Sequence, residues 1–214
     1  MSDLQDSGDG FWGRTEEREF SYVVTVPSSG ENVSLTAVQD RDICAGTPEF
    51  PSHGHCVWDA ALLLADYLQS KAKDEEGEGR SDFQDKKVVT LGAGVGLVGM
   101  ALAVLGARVI LTDQEYALPL LNKNVASGGS LAAWVKDTDV VVFSDVLYNA
   151  AASILLIQTL HQLVSPTTDV IFSFETRNAA IEANFLQELR RTFDVDEYPD
   201  ELFIFHARPK QDWR

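Results

Sequence analysis

Between residues 19 and 39 apolar and polar positions alternate. EFSYVVTVP and ENVSLTAVQ read as β-rich runs, and the SSG between them is a turn signal, so a hairpin or strand pair is predicted. The period changes at VWDAALLLADYLQS, residues 57–70, where Trp58, Ala61, Leu62, Ala65 and Leu68 recur at helical spacing. KAKDEEGEGRSDFQDKK, residues 71–87, is charged and punctuated by glycine, which predicts a solvated, mobile loop. From residue 88 apolar, β-branched runs alternate with amphipathic ones: VVTL, GLVGMALAVLGA, RVILTD, ALPLLNKNV, VVVFSD, SILLIQTLHQLV, VIFSFE, IEANFLQELRRTF and LFIFHA. That order predicts an α/β domain with a mostly parallel sheet covered on both faces. In such sheets ligands bind beyond the carboxyl ends of the strands, where strand order reverses.

The 214 residues, 45% of them hydrophobic, suffice for one domain with a substantial core. The expected division is a disordered acidic N-terminus over 1–17, a β-hairpin extension over 18–55 and the α/β domain over 56–214. A formal charge of −16 argues against a surface for DNA or RNA and fits a basic protein or peptide partner, or plain solubility. Cys44 and Cys56 make no disulfide framework, and no apolar run approaches the roughly 18 residues of a membrane span. The opening MSDLQDSGDG lacks the pattern of a signal peptide. A monomer without a membrane partner is expected, cytoplasmic, with the nucleus as the alternative.

Candidate chemistry concentrates in VVTLGAGVGLVG, residues 88–99. Gly92, Gly94 and Gly96 make GxGxG, which suits a methyl donor; Gly94, Gly96 and Gly99 spell GxGxxG, which suits a dinucleotide. Glycines allow a tight bend and close approach of backbone to ligand, and the helix start offers N–H groups. Strand RVILTD ends at Asp113, 19 residues after Gly94, where an acid can accept hydrogen bonds from ribose hydroxyls of either cofactor. Register discriminates. A strand ending at Leu91 makes Gly92 the first turn glycine, and GxGxxG counted from there lands on Leu97. GxGxG and S-adenosylmethionine are therefore preferred, with glycines that serve only packing as the bland alternative.

The order VWDAALLLADYL, charged loop, VVTLGAGVGLVGMALAVLGARVILTD, NKN, VVVFSDVLYN and VIFSFETRN resembles the seven-strand methyltransferases of family sixteen. Within that family it looks most like the protein-lysine methyltransferase branch of the methyltransferase-like twenty-one and valosin-containing-protein lysine methyltransferase group. The resemblance covers about residues 18–210. It implies a Rossmann-like seven-strand class I sheet and transfer of a methyl group from S-adenosylmethionine to lysine of a protein. It also implies roles by position: Trp58 lining the cofactor pocket, Gly92, Ala93, Gly94 and Gly96 forming the turn at the methionine end, Asp113 as the ribose acid and Ser144 beside the cofactor. Asp145 and Tyr148 reproduce a DxxY motif whose acid and phenol face the target amine. Methyl transfer needs a neutral amine lone pair aligned with the sulfonium methyl, so such groups position the amine more than they move protons. Glu175 ends the next strand and is expected to help close the acceptor pocket.

Plainer roles compete for several residues: core packing for Trp58, a helix cap for Asp145, a half-buried surface aromatic for Tyr148. HGHC at 53–56 lacks a distant second pair, so no metal site is expected. Arg190 and Arg191 are read as a solvated helix face. Two departures from the family stand out. Thr90 occupies the position of an acid that helps hold the methionine end. Between Asn124 and Asp139 only 14 residues stand where a loop, a third strand and a return are required, and a strand alone averages about 5 to 6 residues. The third, edge strand is expected to be missing or reduced, and the adenine-contacting acid and LDWG-like tryptophan have no counterpart beyond a possible substitute in Trp134. The last hairpin also looks trimmed. The rival readings are a non-catalytic protein-binding module that keeps the fold, and a nicotinamide-dependent oxidoreductase.

Overall fold

In the strands of the central sheet, successive residues feed two separate cores. The structure, a computed structural model, describes residues 14–44, 53–72, 81–125, 138–198 and 203–213. Strand β3 (Lys87–Leu91) sends Val88 to one core and Val89 to the other; β5 (Val140–Ser144) divides Val140 and Val142 from Val141 and Phe143; β6 (Asp169–Ser173) divides Ile171 from Val170 and Phe172. This is the period-2 consequence of burial on both faces. The described strands order as β4-β3-β5-β6-β8-β7, with β4 at Arg108–Thr112, β7 at Phe193–Tyr198 and β8 at Ile204–Pro209. The first four are parallel, and β8 runs antiparallel to both β6 and β7.

Helices α1 (Asp59–Lys71) and α2 (Leu97–Val104) cover one face through Leu64, Leu68, Ala101 and Leu102. On the other face α4 (Ala150–Leu163) and α5 (Ala179–Leu189) supply Leu160, Phe185 and Leu189. There Phe143, Phe172 and Phe205 stack in sequence with centroids 4.7 and 5.0 Å apart, and Phe185 meets Phe172 edge-on. Such pairs add about 0.5 to 1.5 kcal/mol each beyond their buried area.

The strand pair expected near the N-terminus forms a separate two-stranded sheet, β1 (Glu19–Thr25) and β2 (Asn32–Val38). Its inward residues Tyr22, Val24 and Leu35 join the α1–α2 core, and Ala37 packs beside α2 and α3 (Leu118–Asn124). Tyr22 donates to Asp66 at 2.6 Å and Thr25 N–H to Gln69 Oε1 at 2.6 Å, which fastens β1 to α1. Within the segment 1–17 expected to be disordered, residues 14–16 are helical and Arg14 pairs with Asp59.

Two boundaries differ from the sequence reading. The helix expected to run through Phe193 stops at Leu189 with Arg190 as its cap, and Phe193 instead opens β7. The final hairpin is paired without a gap from Phe193↔Pro209 to Tyr198↔Ile204, although its connecting loop lies outside the described residues. Residues 73–80 of the expected mobile loop and the shortened segment with Trp134, residues 126–137, also lie outside them. The rest of that loop is not solvated throughout, since Lys71 ends α1, Phe83 is buried in the α1–α2 core and Lys87 opens β3. Strand order reverses between β3 and β5, so the crevice beyond their carboxyl ends is the place for a ligand.

Candidate active site

At that crevice β3 ends at Leu91, as the register argument requires, and Gly92, Gly94 and Gly96 all have left-handed backbones (φ 61°, 56° and 94°). The three positive angles fall on GxGxG. Gly99 lies inside α2, where a Cβ would come within 2.7 Å of Leu111, so its role is close helix–sheet packing. At Gly94 a Cβ would rest in ordinary contact with the Gly54 backbone, 3.9 Å from its Cα and O, so it is the left-handed φ that calls for glycine at the cleft.

Asp113, just past β4, braces this turn. Its Oδ2 accepts from Gly94 N–H at 2.6 Å and its Oδ1 from Gln114 N–H at 2.7 Å. Burial raises its pKa, and the two backbone hydrogen bonds work against that rise. Each carboxylate oxygen keeps a second lone pair for a ligand hydroxyl.

The cleft has a volume of about 70 Å³, and its lining includes Trp58, Gly92, Ala93, Gly94, Asp113, Ser144, Asp145 and Tyr148. Eight of the ten candidate residues therefore meet at one cavity. Gly96 does not line it: its α-carbon faces Leu121 and Leu111 behind the turn. Glu175 stands at the rim, paired with Arg177 at 2.9 Å. A second cavity of about 300 Å³, bounded by Gln114, Leu155, Leu156 and Thr159, shares Gly92, Asp113, Val146 and Tyr148 with the first. Thr90 lines neither cavity. Its buried hydroxyl has no hydrogen-bond partner and lies 3.3 Å from where a Cβ on Gly99 would sit.

The acceptor side is built around Asp145. This residue has a positive φ of 54°, an uncommon strain for a non-glycine residue that tends to persist where surrounding structure holds it. Its own N–H donates to Ser173 O at 2.9 Å, and its carboxylate accepts from Glu175 N–H at 3.3 Å and from Arg177 Nη2 at 2.9 Å. It caps no helix; Asn149 performs that task for α4. Tyr148, 38% exposed, stacks on His53 with centroids 4.5 Å apart. Tyr116 hydrogen-bonds to Tyr148, and burial raises both phenols. The Trp58 indole N–H donates to His53 O at 2.7 Å, while the Arg177 guanidinium lies 4.8 Å above the indole ring. Burial opposes the charge of Arg177, and the hydrogen bond and charge of Asp145, with Glu175, more than offset it, so its pKa is raised.

His53, Tyr116 and Arg177 are the site residues that the sequence reading missed. Tyr116 stands three residues after Asp113, and Arg177 follows Glu175 in FETRN, so an aromatic or a cation just past a strand end was the available signal. The histidines of HGHC diverge: His53 stacks on Tyr148 while His55 meets Arg41 at 3.3 Å. Cys44 and Cys56 are both buried, and burial pushes the Cys56 thiol up to about 11.

A parallel sheet with its last strand antiparallel, a left-handed GxGxG turn at the switch point and an acid ending the neighbouring strand define a class I methyltransferase domain. The chain belongs to the lysine methyltransferase family, which residues 42–192 match. The family's methyl donor is S-adenosylmethionine. Over 156 residues the chain is 35% identical to EEF1A lysine methyltransferase 3 of Xenopus tropicalis, covering 66% of each chain. It is also 35% identical over 159 residues to the protein N-lysine methyltransferase METTL21A of Danio rerio, covering 66% of this chain and 69% of that protein. The chain thus spans about two thirds of the length of these relatives. A crystal structure of a proposed RNA methyltransferase from Pyrococcus horikoshii shares the fold, at 16% identity and a TM-score of 0.51, over 84% of this chain and 93% of that one.

Proposed function

We propose that this chain transfers a methyl group from S-adenosylmethionine to the ε-amine of lysine in a protein substrate. The observation that carries the reading is the meeting, in one cleft of a lysine methyltransferase family member, of the glycine turn, Asp113, Trp58 and the Asp145–Tyr148 pair. When bound, the donor supplies an electrophilic methyl group on a sulfonium.

The residues fit that group. The turn at Gly92, Ala93 and Gly94 would hold its methionine end, and the spare lone pairs of Asp113 would accept from its ribose hydroxyls. At about 70 Å³ the first cavity is too small for the donor by itself, so the donor would extend into the second, where Gln114, Leu155 and Leu156 would flank its adenosine half. Trp58 gives the first cavity an apolar wall, and Ser144 adds a polar group beside it. On the acceptor side Asp145, with its side chain only 4% exposed, offers a fixed carboxylate to the amine N–H groups, and Tyr148 offers a phenol and a ring face. Their part is orientation: they hold the lone pair in line, and proton loss is left to water at the mouth.

The net charge of −16 supports a basic protein segment as the partner rather than nucleic acid. Among the described residues no helix is long and apolar enough to cross a membrane. A cytoplasmic location and a monomeric state complete the proposal.

Asp145→Ala tests the assignment. Incubated with lysate protein and methyl-labelled S-adenosylmethionine, the native chain is expected to place label on protein as methyllysine. The variant is expected to place none while its cofactor titration stays largely unchanged. Retained transfer would remove Asp145 from the site.

A further inference from the structure

Asp145 and Glu175, both read as facing the lysine substrate, and Trp58, read as a wall of the cofactor pocket, already surround a cation in this structure. It is the molecule's own Arg177. The guanidinium donates to Asp145 Oδ2 from Nη2 at 2.9 Å and from Nε at 3.3 Å, and to Glu175 Oε2 from Nη2 at 2.9 Å, with the Trp58 ring 4.8 Å beneath it. Two carboxylates and an indole face form the set that recognises an alkylammonium as well as a guanidinium. Resting on the lysine-transfer reading, we propose that Arg177 occupies the seat of the target ammonium and acts as a specificity gate that an incoming lysine must displace.

The surroundings make this an exchange of one cation for another. Asp145 is nearly buried, so removing Arg177 without a replacement charge would strand a desolvated carboxylate. A lysine side chain supplies that charge, whereas a glutamine or methionine of similar reach does not. The seat thereby selects lysine as the ammonium, which then loses a proton to water before its lone pair can meet the methyl group. The displaced guanidinium has a place to go: Glu175 is 44% exposed, Arg177 itself 37%, and the pair can swing outward together. The backbone need not follow. Arg177 N–H and Asn178 N–H both donate to the buried Glu182 carboxylate, at 2.7 and 2.8 Å, which anchors the gate at the start of α5.

A brace for Asp145 would use the same contacts, so the test must separate an occupied seat from a strut. Native chain, Arg177→Ala and Arg177→Gln are titrated with butylammonium chloride, without cofactor, following tryptophan fluorescence. The gate requires saturable binding by the variants at least about tenfold tighter than by the native chain, and its loss when Asp145→Asn is added. Folded variants that bind butylammonium no better than the native chain would overturn it. The native chain gives a second reading should the variants not fold. The Arg177 Nε–H resonance is expected to be protected from solvent exchange and to lose that protection as butylammonium is added. A resonance indifferent to butylammonium would overturn the gate. S-adenosylmethionine titrated separately distinguishes a failed gate from a failed methyltransferase reading.

Discussion

Asp113 serves two purposes with one carboxylate. It closes the glycine turn through Gly94 N–H, and it faces the cleft where ribose hydroxyls are expected. Its raised pKa follows from lost hydration, which hydroxyl donors from a ligand would partly restore. Asp113→Ala is therefore expected to weaken S-adenosylmethionine binding by about 1.5 to 3 kcal/mol, the loss of charge-assisted hydrogen bonds plus a loosened turn. Unchanged affinity on titration would sink the ribose role. Thr90 is the opposite case. The family's acid is absent there, and the threonine lies away from both cavities with an unpartnered, buried hydroxyl. Thr90→Val is expected to raise stability by about 1 kcal/mol in urea melts, since it removes an unsatisfied polar group, and to leave cofactor affinity unchanged.

Between elements, the polar side chains of Asn124 and His206 help to tie the N-terminal half to the rest of the fold. Asn124, in the NKN that figured only as a motif, accepts from Val38 N–H at 2.8 Å and donates to Val38 O and Val95 O, each at 3.0 Å. One side chain thus joins α3, β2 and the glycine turn. Asn124→Ala leaves these partly buried groups without partners, and a loss of about 1 to 3 kcal/mol is expected in denaturant melts. His206 on β8 meets the Tyr67 hydroxyl of α1 at 2.8 Å. Burial lowers its pKa below the ordinary 6.5, with Asp169 pulling the other way. The unfolded chain then takes up the proton first, so this contribution to stability is present above pH 6.5 and is lost as pH falls below it. The native chain is expected to lose more stability than His206→Gln between about pH 7.5 and 5.5. Equal losses would show that the histidine does not couple to folding.

For the whole molecule, periodicity was enough to read the order of strands and helices apart from β7, because burial on both faces leaves an unbroken apolar signature in VVTL and VVVFS. The end of α5 was not legible: Thr192 and Phe193 suit a strand, yet the helical spacing of the residues before them runs on without a glycine or proline to stop it. The glycine turn and Asp113 were legible since their spacing is local. Arg177 was not, because its meaning depends on the chain after β6 folding back over Trp58, 119 positions earlier in the sequence, a proximity no local pattern encodes. Tyr116 and His53 share that difficulty, since each acquires its place only against Tyr148.

The central claim is that the crevice between β3 and β5 holds S-adenosylmethionine. Isothermal titration calorimetry of the purified chain measures this most directly, with NADH as the control titrant. Saturable micromolar binding of S-adenosylmethionine and none of NADH is the expected result. Binding of NADH instead, or of neither, would contradict it and leave the left-handed glycines as architecture alone.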